Sequence, residues 1–301
     1  MTLATQAGAA IENARLTAEL ALFNQELERM VQQRTEELQN AYNQLEQLDQ
    51  AKSKFISVTS HELRTPITVI RGYSQILQSA SVIKADENLS NLVKGIISGT
   101  SRMYELVNSM LDLAKIDNQS LQLTVGSVYL AVLIKDQISV FEEGLRDRKL
   151  TITVEGLGSL PLIEADPDAL KKVFYHIIGN AIKYTPDGGK ITIRGRIIAA
   201  GEELPDEAVE VIIEDSGIGI EPAYLELIFT KFFQTGEVSL HSTSKTKFKG
   251  GGPGLGLTIA RGIVVAHGGK LWAESPGHDE STCPGSKFHI ILPIRYRQPT
   301  L

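Results

Sequence analysis

Residues along the first fifth of the chain alternate between three-residue and four-residue apolar steps, with charged and Gln-rich positions between them. The positions on this seam are Leu16, Leu20, Phe23, Leu27, Met30, Arg34, Leu38, Ala41, Leu45, Leu48, Lys52 and Phe55. The alternation is typical of a coiled coil, and the two four-residue steps around Arg34 indicate a stutter. We therefore predict a coiled-coil signalling helix over residues 17–50, in a parallel dimer. The alternative is one long helix packed on its own domain.

A second apolar pattern follows without a helix breaker. Its first stripe repeats every seven residues, at Ile56, Leu63, Ile70 and Leu77. The first helix should end between Gln78 and Ala85, and Asp86 or Asn88 can then cap a second helix. The stripe of that helix consists of Leu89, Val93, Ile96, Met103, Val107, Met110, Ala114 and Asp117. Because two such helices bury their stripes poorly alone, residues 51–120 predict a dimeric four-helix bundle.

Beyond Asn118 the pattern changes to short strands and helices. The predicted strands are Leu121–Val125, Leu150–Val154, Leu160–Ala165, Lys190–Ile197 and Val209–Glu214. The predicted helices are Leu130–Arg146, a helix capped by Asp166 that begins at Pro167 and ends at Tyr184, and Thr258–Ala266. This order predicts a mixed sheet covered by helices over residues 121–301.

Composition narrows the classes of function. The 301 residues suffice for about two domains, and 30 basic against 36 acidic residues give a net charge of −6, which argues against a nucleic-acid partner. Cys283 is the only cysteine, which excludes an intramolecular disulfide and suits a reducing compartment. No apolar run is long enough to cross a bilayer, and no signal-peptide pattern opens the sequence. We expect a cytoplasmic segment without membrane contact.

One histidine stands out on the first helix of the predicted bundle. His61 lies two positions from Leu63, about 200° around the helix, and is turned away from the apolar stripe. Thr65 shares its face, and Pro66 predicts a kink one turn later. A neutral imidazole is a nucleophile near neutral pH, and Glu62 could hold one ring N–H while the other nitrogen attacks. The alternative is an ordinary surface histidine.

Four motifs near the end of the chain carry a second kind of chemistry. The first places His176, Asn180, Lys183 and Tyr184 on one helical face, where an amide can bind Mg²⁺, an ammonium can contact phosphate and a ring can lie against a base. The other three motifs are Asp215–Ile220, Phe229–Phe233 and the glycine-rich run Gly250–Leu257, which opens a helix. Glycines at a helix start leave N–H groups free for phosphate. The polar stretch Thr235–Lys249 between the last two predicts a mobile lid.

These strings resemble those of a known family. Ser60–Pro66 resembles the phosphoacceptor box of sensor histidine kinases, and the four later motifs resemble the N, G1, F and G2 boxes of their catalytic domain, an α/β sandwich called the Bergerat ATP-binding fold. This resemblance runs from about residue 51 to the C-terminus. Residues 1–16 also resemble the last helix of a GAF sensor domain, through the string Ala9–Leu16.

The resemblance implies ATP and Mg²⁺ as cofactors, with Asn180 as the Mg²⁺ ligand and Asp215 as the partner of adenine. The positions that it assigns to the nucleotide are His176, Asn180, Lys183, Tyr184, Asp215, Gly217, Gly219, Ile220, Phe232, Gly252, Gly254, Leu255, Gly256 and Leu257. Three positions depart from the family pattern. His176 stands where Asn is usual, Gln234 stands where many members carry Arg, and Pro253 removes one N–H donor.

The implied function is that of a homodimeric histidine kinase. His61 would take the γ-phosphoryl group of ATP and pass it to an aspartate of a response-regulator receiver domain, through a hinge near residues 115–120. Thr65 would position water in a reverse phosphatase reaction. If the Thr65→Ala variant dephosphorylates the partner at an unchanged rate, this hypothesis loses its basis.

Two other classes of function stay open at this point. One is an ATPase of the gyrase and heat-shock-chaperone type, although such enzymes usually carry a general-base Glu where this chain has His176. The other is a catalytically inactive coiled-coil relay, against which the presence of His61, Asn180 and Asp215 argues.

Overall fold

A computed structural model describes residues 2–118, 120–199, 206–234, 248 and 254–297. Its backbone divides into two compact units, residues 1–55 and 56–301. Gly252, Pro253 and, apart from Phe248, the predicted lid at Thr235–Lys249 lie outside the described residues. The expectations attached to them stay predictions.

Three helices account for the N-terminal part of the chain. Helix α1 covers Thr2–Ser79 with Pro66 inside it, α2 covers Ser81–Ala85 and α3 covers Glu87–Asp117. The Asp86 carboxylate caps α3 by accepting from the N–H groups of Asn88 (2.9 Å) and Leu89 (3.1 Å). The predicted end of the first helix and the Asp86 cap are confirmed, whereas a kink at Pro66 stays a prediction.

The seam residues of the first unit with described side chains are exposed to solvent in the single chain, among them Phe23 and Leu38. Arg34 is also exposed, and its guanidinium pairs with Glu37 at 2.8 Å. Further pairs one turn apart, Arg15 with Glu19 and Arg29 with Glu26, lie on the same helix. Such exposed pairs add little to the stability of the helix, because water screens both charges.

In the second unit, α1 and α3 pack on each other through residues seven apart. The buried positions are Ser60, Ile67 and Ser74 on α1, with Val93, Thr100 and Val107 on α3. Arg64 donates to Asn108 at 2.9 Å, and Arg71 lies over the Tyr104 ring at 4.6 Å.

Within the single chain the predicted stripe of α1 is not buried, in line with the expectation that two such helices bury their stripes poorly alone. Leu63, Ile70 and Leu77 are all about half exposed. The prediction for α3 is right for Val93, Val107 and Ala114, while Leu89, Ile96 and Met103 are exposed. Each helix thus has two heptad lines, of which one is buried within the chain and the other faces solvent.

Residues after Asn118 form the α/β domain. Its strands are β1 (Gly126–Val128), β2 (Thr151–Glu155), β3 (Ile163–Ala165), β4 (Lys190–Ile198), β5 (Ala208–Asp215), β6 (Lys270–Glu274) and β7 (Ser286–Pro293). Its helices are α4 (Leu130–Ser139), α5 (Glu142–Asp147), α6 (Pro167–Tyr184) and α7 (Gly256–Ala266). The main sheet has the order β2-β4-β5-β7-β6, in which β2 and β4 are parallel and the other neighbours antiparallel. The predicted mixed sheet is confirmed.

The core lies between this sheet and the helices α4, α6 and α7. Alternate residues of β5, namely Val209, Val211 and Ile213, are buried against helix residues such as Ile177 and Ile263. The pairing of β1 with β3 makes a small separate ribbon. Helix α6 begins and ends as predicted, because Asp166 caps its N–H groups and Pro167 occupies its first position.

Several predicted elements are wrong in extent. The strand predicted at Leu121–Val125 has no regular structure, since its alternating leucines pack on the core without pairing to a strand. The helix predicted at Leu130–Arg146 breaks into α4 and α5, where Phe141 turns into the core and stacks on Tyr175 at 5.2 Å. The predicted strand Leu160–Ala165 shortens to β3. Strands β6 and β7 were not predicted.

Candidate functional site

The candidate phosphoacceptor, His61, lies on α1 with its ring exposed. Glu62, Thr65 and Pro66 are exposed beside it. Within the described part of α1, no hydrogen bond joins the His61 ring to the Glu62 carboxylate, so the orienting role of Glu62 stays a prediction. An exposed imidazole on a helix can act as a nucleophile toward an electrophile that is bound beside it.

The predicted nucleotide face of α6 ends at Tyr184, with His176 and Asn180 half-buried along it. The Lys183 ammonium lies 4.6 Å from the centre of the Tyr184 ring. This lysine also lies in the last turn of the helix, where the dipole favours a cation.

A residue that the sequence did not indicate fixes the end of α6. Arg148 is buried, and its guanidinium donates to the carbonyl oxygens of Ile182 (2.6 Å) and Thr185 (2.5 Å) and pairs with Asp187 (2.8 Å). These bonds satisfy carbonyl groups that a helix C-terminus leaves open. No motif marks Arg148, because its partners come together only in the folded domain.

His176 connects α6 to the start of α7. A Cβ placed on Gly256 would lie 2.8 Å from the imidazole Nδ1, so any larger residue here would have to push this ring aside. Burial lowers the pKa of His176 to about 4; Asp112 opposes this shift and Lys172 adds to it. The ring is therefore neutral at physiological pH.

Asp215 ends β5 as a buried carboxyl group. Its Oδ1 accepts from the N–H of Gly217 at 2.8 Å. Burial raises the pKa of Asp215 to about 7, although the N–H groups of Gly217 and Ser286 act in the opposite direction. Such a group has one oxygen held by the backbone and can accept a hydrogen bond from a ligand in a water-poor site.

The turn after Asp215 needs its glycines for close packing. A Cβ on Gly217 would lie 2.6 Å from the carbonyl oxygen of Tyr184. Gly219 has a φ of +75°, and a Cβ there would lie 1.9 Å from the carbonyl oxygen of Gly277. The next amide, that of Ile220, donates to Ser275 at 2.9 Å. The turn therefore joins the end of α6 to the loop that precedes β7.

The Phe229–Phe233 segment is bonded to the beginning of α7. The N–H of Phe232 donates to the carbonyl of Gly254 at 3.0 Å, and the Thr258 hydroxyl donates to the carbonyl of Phe229 at 2.9 Å. Helix α7 starts at Gly256, and among the described residues no side chain caps its first N–H groups. The first N–H groups of such a helix form a favourable position for phosphate.

The structure thus brings most of the predicted nucleotide residues together around α6. The Asp215 turn contacts its C-terminal end, and the α7 start contacts His176. Leu255 is fully buried, Leu257 and Ile220 are half-buried, and Phe232 is exposed. His61 makes no described contact with this group. No cluster of three or more His, Cys, Asp or Glu side chains suited to a metal occurs in the described ranges.

None of the helices described is long and apolar enough to span a membrane.

Comparison with known families defines the class of protein. Residues 51–119 match the His Kinase A (phospho-acceptor) domain, and residues 165–296 match the Histidine kinase-, DNA gyrase B-, and HSP90-like ATPase family. The chain is thus a phosphoacceptor helical domain followed by an ATP-binding domain of that class.

Individual relatives narrow the class to one family. The sensor histidine kinase WalK of Bacillus subtilis is 34% identical over 240 residues, which are 76% of this chain and 35% of WalK. The phytochrome-like protein Cph1 of Synechocystis is 31% identical over 271 residues, 88% of this chain and 32% of Cph1. This chain belongs to the sensor histidine kinase family. It spans about a third of the length of these relatives.

Solved structures agree in fold. Full-length ShkA in complex with AMPPNP has a TM-score of 0.64 at 22% identity, over 82% of this chain and 47% of that chain. The histidine kinase AdeS of Acinetobacter baumannii has a TM-score of 0.52 at 25% identity, over 78% of this chain and 98% of that chain.

Proposed function

We propose that this chain transfers the γ-phosphoryl group of ATP to a ring nitrogen of His61. The observation that carries the proposal is the combination, in one chain, of an exposed histidine in the phosphoacceptor domain with two features packed against α6. These features are the turn after the buried Asp215, at the C-terminal end of α6, and the start of α7, at His176. A buried carboxyl suits the amine of adenine, and free helix N–H groups suit phosphate.

In the proposed reaction, the lone pair of one His61 nitrogen attacks the γ-phosphorus in line. The bond from phosphorus to the β,γ-bridging oxygen breaks, and ADP leaves with its electron pair. Glu62 takes the proton from the other ring nitrogen, which leaves a neutral imidazole ring that carries the anionic phosphoryl group. Positioning and neutralisation of charge dominate the barrier of such transfers.

Asn180 fits the role of Mg²⁺ ligand by its chemistry and position. Its amide is half-buried on the same face of α6 as His176, and Mg²⁺ prefers oxygen ligands. In nucleotide sites of this kind the phosphates themselves supply further oxygens. When bound, Mg²⁺ would neutralise phosphate charge.

We infer a homodimer from the exposed heptad lines of the helical domain. Leu63, Ile70 and Leu77 on α1 and Leu89, Ile96 and Met103 on α3 leave apolar side chains in water within a single chain. A second copy would bury both lines in a four-helix bundle. The exposed seam of residues 16–45 extends the same argument to the coiled coil.

The remaining assignments are inferences from the family. Domain boundaries would fall at residues 17–50, 51–120 and 121–301, after a GAF-like end at 1–16. An aspartate of a response-regulator receiver would accept the phosphoryl group, with Thr65 serving the reverse hydrolysis. Use of ATP and of such a partner favours the cytoplasm.

The ATPase alternative is weaker because of His176. This residue takes the place of the usual general-base Glu, and an imidazole with a pKa of about 4 is a poor base toward water at neutral pH.

The decisive experiment is incubation of the purified chain with Mg-ATP labelled at the γ-phosphate. We expect bound label that is acid-labile and base-stable, and none in His61→Gln, which keeps the helix but removes the nucleophile. Equal labelling of His61→Gln would contradict the assignment. Binding of ATP without any label would favour the ATPase or the inactive relay.

A further inference from the structure

The C-terminal turns of α3 pack directly on the ATP-binding domain. Leu113 is buried in the core of that domain. Ile116 lies so close to α7 that a Cβ on Gly262 would come within 2.5 Å of its Cγ2. The apolar centre of this contact is therefore possible only because residue 262 has no side chain.

Two lysine–aspartate pairs flank the apolar centre. The Lys172 ammonium lies 2.7 Å from both carboxylate oxygens of Asp112. The Lys231 ammonium lies 2.5 Å from Oδ2 of Asp117, in the last turn of α3. Both lysines belong to the ATP-binding domain and both aspartates to α3, so α3 neutralises two cations of its neighbour.

The backbone around Lys231 is fixed beside the start of α7. The residue after it, Phe232, donates its N–H to the carbonyl of Gly254. A Cβ on Gly254 would also lie 2.7 Å from the carbonyl oxygen of Phe233, which shows how tightly the two segments pack. The backbone next to Lys231 is consequently held at the turn that leads into α7, while the Lys231 ammonium itself pairs with Asp117.

A triphosphate bound there needs positive charge near its terminal group. Gln234 supplies no charge where an arginine is common in the family, whereas Lys231 lies three residues earlier on the same tethered segment. We propose that Lys231 binds the terminal phosphate of ATP, and that Asp117 holds its ammonium group in the arrangement seen here. This inference rests on the nucleotide site of the proposed function.

An ammonium on a flexible four-carbon stem can exchange one anion for another. If Asp117 and the terminal phosphate compete for Lys231, ATP binding weakens the contact of α3 with the ATP-binding domain. By thermodynamic reciprocity, that contact weakens ATP binding by the same factor. ADP lacks the terminal phosphate and competes less. The ion pair thus links two events. When the terminal phosphate of ATP binds, the ATP-binding domain is released from α3 and can move to His61.

The test compares the dissociation constants of Mg-ATP and Mg-ADP, measured by calorimetry on the full chain. We expect Lys231→Ala to weaken Mg-ATP binding about ten- to a hundredfold, the range for a hydrogen bond to a charged group, with a smaller effect on Mg-ADP. Lys231→Arg should retain most of the preference for ATP. Asp117→Asn should tighten Mg-ATP binding about two- to fivefold, because the competing ion pair is partly exposed and therefore weak. That gain should vanish in the Lys231→Ala background.

Lys172→Ala is the matched control, since it removes the other ion pair of the same contact. It should leave the ratio of the two dissociation constants unchanged. A change in the ratio as large as that of Lys231→Ala would assign the effect to loosening of the interface and overturn the proposal.

Asp215→Asn separates this inference from the nucleotide site itself. Its oxygen must accept from Gly217, so its NH₂ group would face the adenine amine as a second donor, and both nucleotides should bind weakly. If Asp215→Asn loses both nucleotides while Lys231→Ala binds both normally, the lysine assignment is wrong and the site stands. If Asp215→Asn binds both normally, the site and the lysine assignment fail together.

Discussion

Individual residues in the site are held in unusual protonation states. The pKa of Asp215 is raised and the pKa of His176 is lowered, since burial disfavours the charged form of each side chain. A carboxyl with a pKa of about 7 stores unfavourable free energy in the folded protein at neutral pH. Displaced groups of this kind are typical of ligand sites, where binding supplies the missing partner.

The stability of the nucleotide-free protein should record the Asp215 shift. Its pKa rises from an ordinary 3.8 to about 7 on folding, so between these values the folded state holds a proton that the unfolded state has lost. Its contribution to the free energy of unfolding is therefore present at low pH and lost as pH rises toward 7. The Asp215→Asn side chain cannot titrate, so the free energy of unfolding of this variant lacks that decrease with pH.

The measurement is urea denaturation from pH 5 to 8, followed by the fluorescence of Trp272 on β6, the single tryptophan. The free energy of unfolding of the wild type minus that of Asp215→Asn should fall by up to about 1.4 kcal/mol per pH unit below pH 7 and level off above it. Parallel curves for the two proteins would show that the carboxyl titrates normally.

At the scale of the elements, helices α3 and α7 pack on each other at Gly262, a residue without a side chain. Gly262 lies inside α7, where glycine costs about 1 kcal/mol relative to alanine. Its presence is explained by Ile116, which occupies the space of its Cβ. The α3–α7 contact is thus retained at the expense of helix stability.

Gly262→Ala should loosen the end of α3 without touching the nucleotide positions. The new methyl group would collide with Ile116, so we expect faster hydrogen exchange of amides 112–118, measured by mass spectrometry. The matched control is Gly99→Ala inside α3, where no atom lies within 4 Å of the added Cβ. Equal exchange in the two variants would contradict a steric role for Gly262.

Local signals explain which elements could be predicted from sequence. Helix α6 was predicted to the residue because its cap, Asp166–Pro167, is contiguous in the chain. The Leu121–Val125 strand was wrong because alternation reports one-sided burial, whether or not a partner strand pairs with it. Strand β7 and the role of Arg148 depend on partners that are distant in sequence, and β6 pairs only with β7. Positions within the site were predicted through motifs, whereas the ion pairs to α3 carry no motif.

At the scale of the whole molecule, the exposed heptad lines of α1 and α3 form an apolar surface that a single chain leaves in water. Each line is apolar over three consecutive heptads, as at Leu63, Ile70 and Leu77. Water disfavours such a surface, and a second copy of the chain presents an identical one.

Ile70→Glu should dissociate the proposed dimer. Two buried isoleucines are lost per dimer, each contributing about 1.5 kcal/mol or more, so the dimer dissociation constant should rise about a hundredfold or more. Sedimentation equilibrium measures it directly. Val82→Glu on α2 is the control, because Val82 is also apolar and exposed but lies outside both lines. An unchanged dimer in Ile70→Glu would rule out this face as the interface.

The order of the main sheet bears on how the protein is made. Strand β7 lies between β5 and β6, although both are synthesised before it, and its Ser286 pairs with Asp215. On the ribosome, the edge of β5 must wait for a strand translated much later, with its apolar residues exposed meanwhile. Chaperones have their main opportunity to act during that interval. Because Ser286 of this strand pairs with Asp215, the proposed adenine position is complete only once β7 has left the exit tunnel.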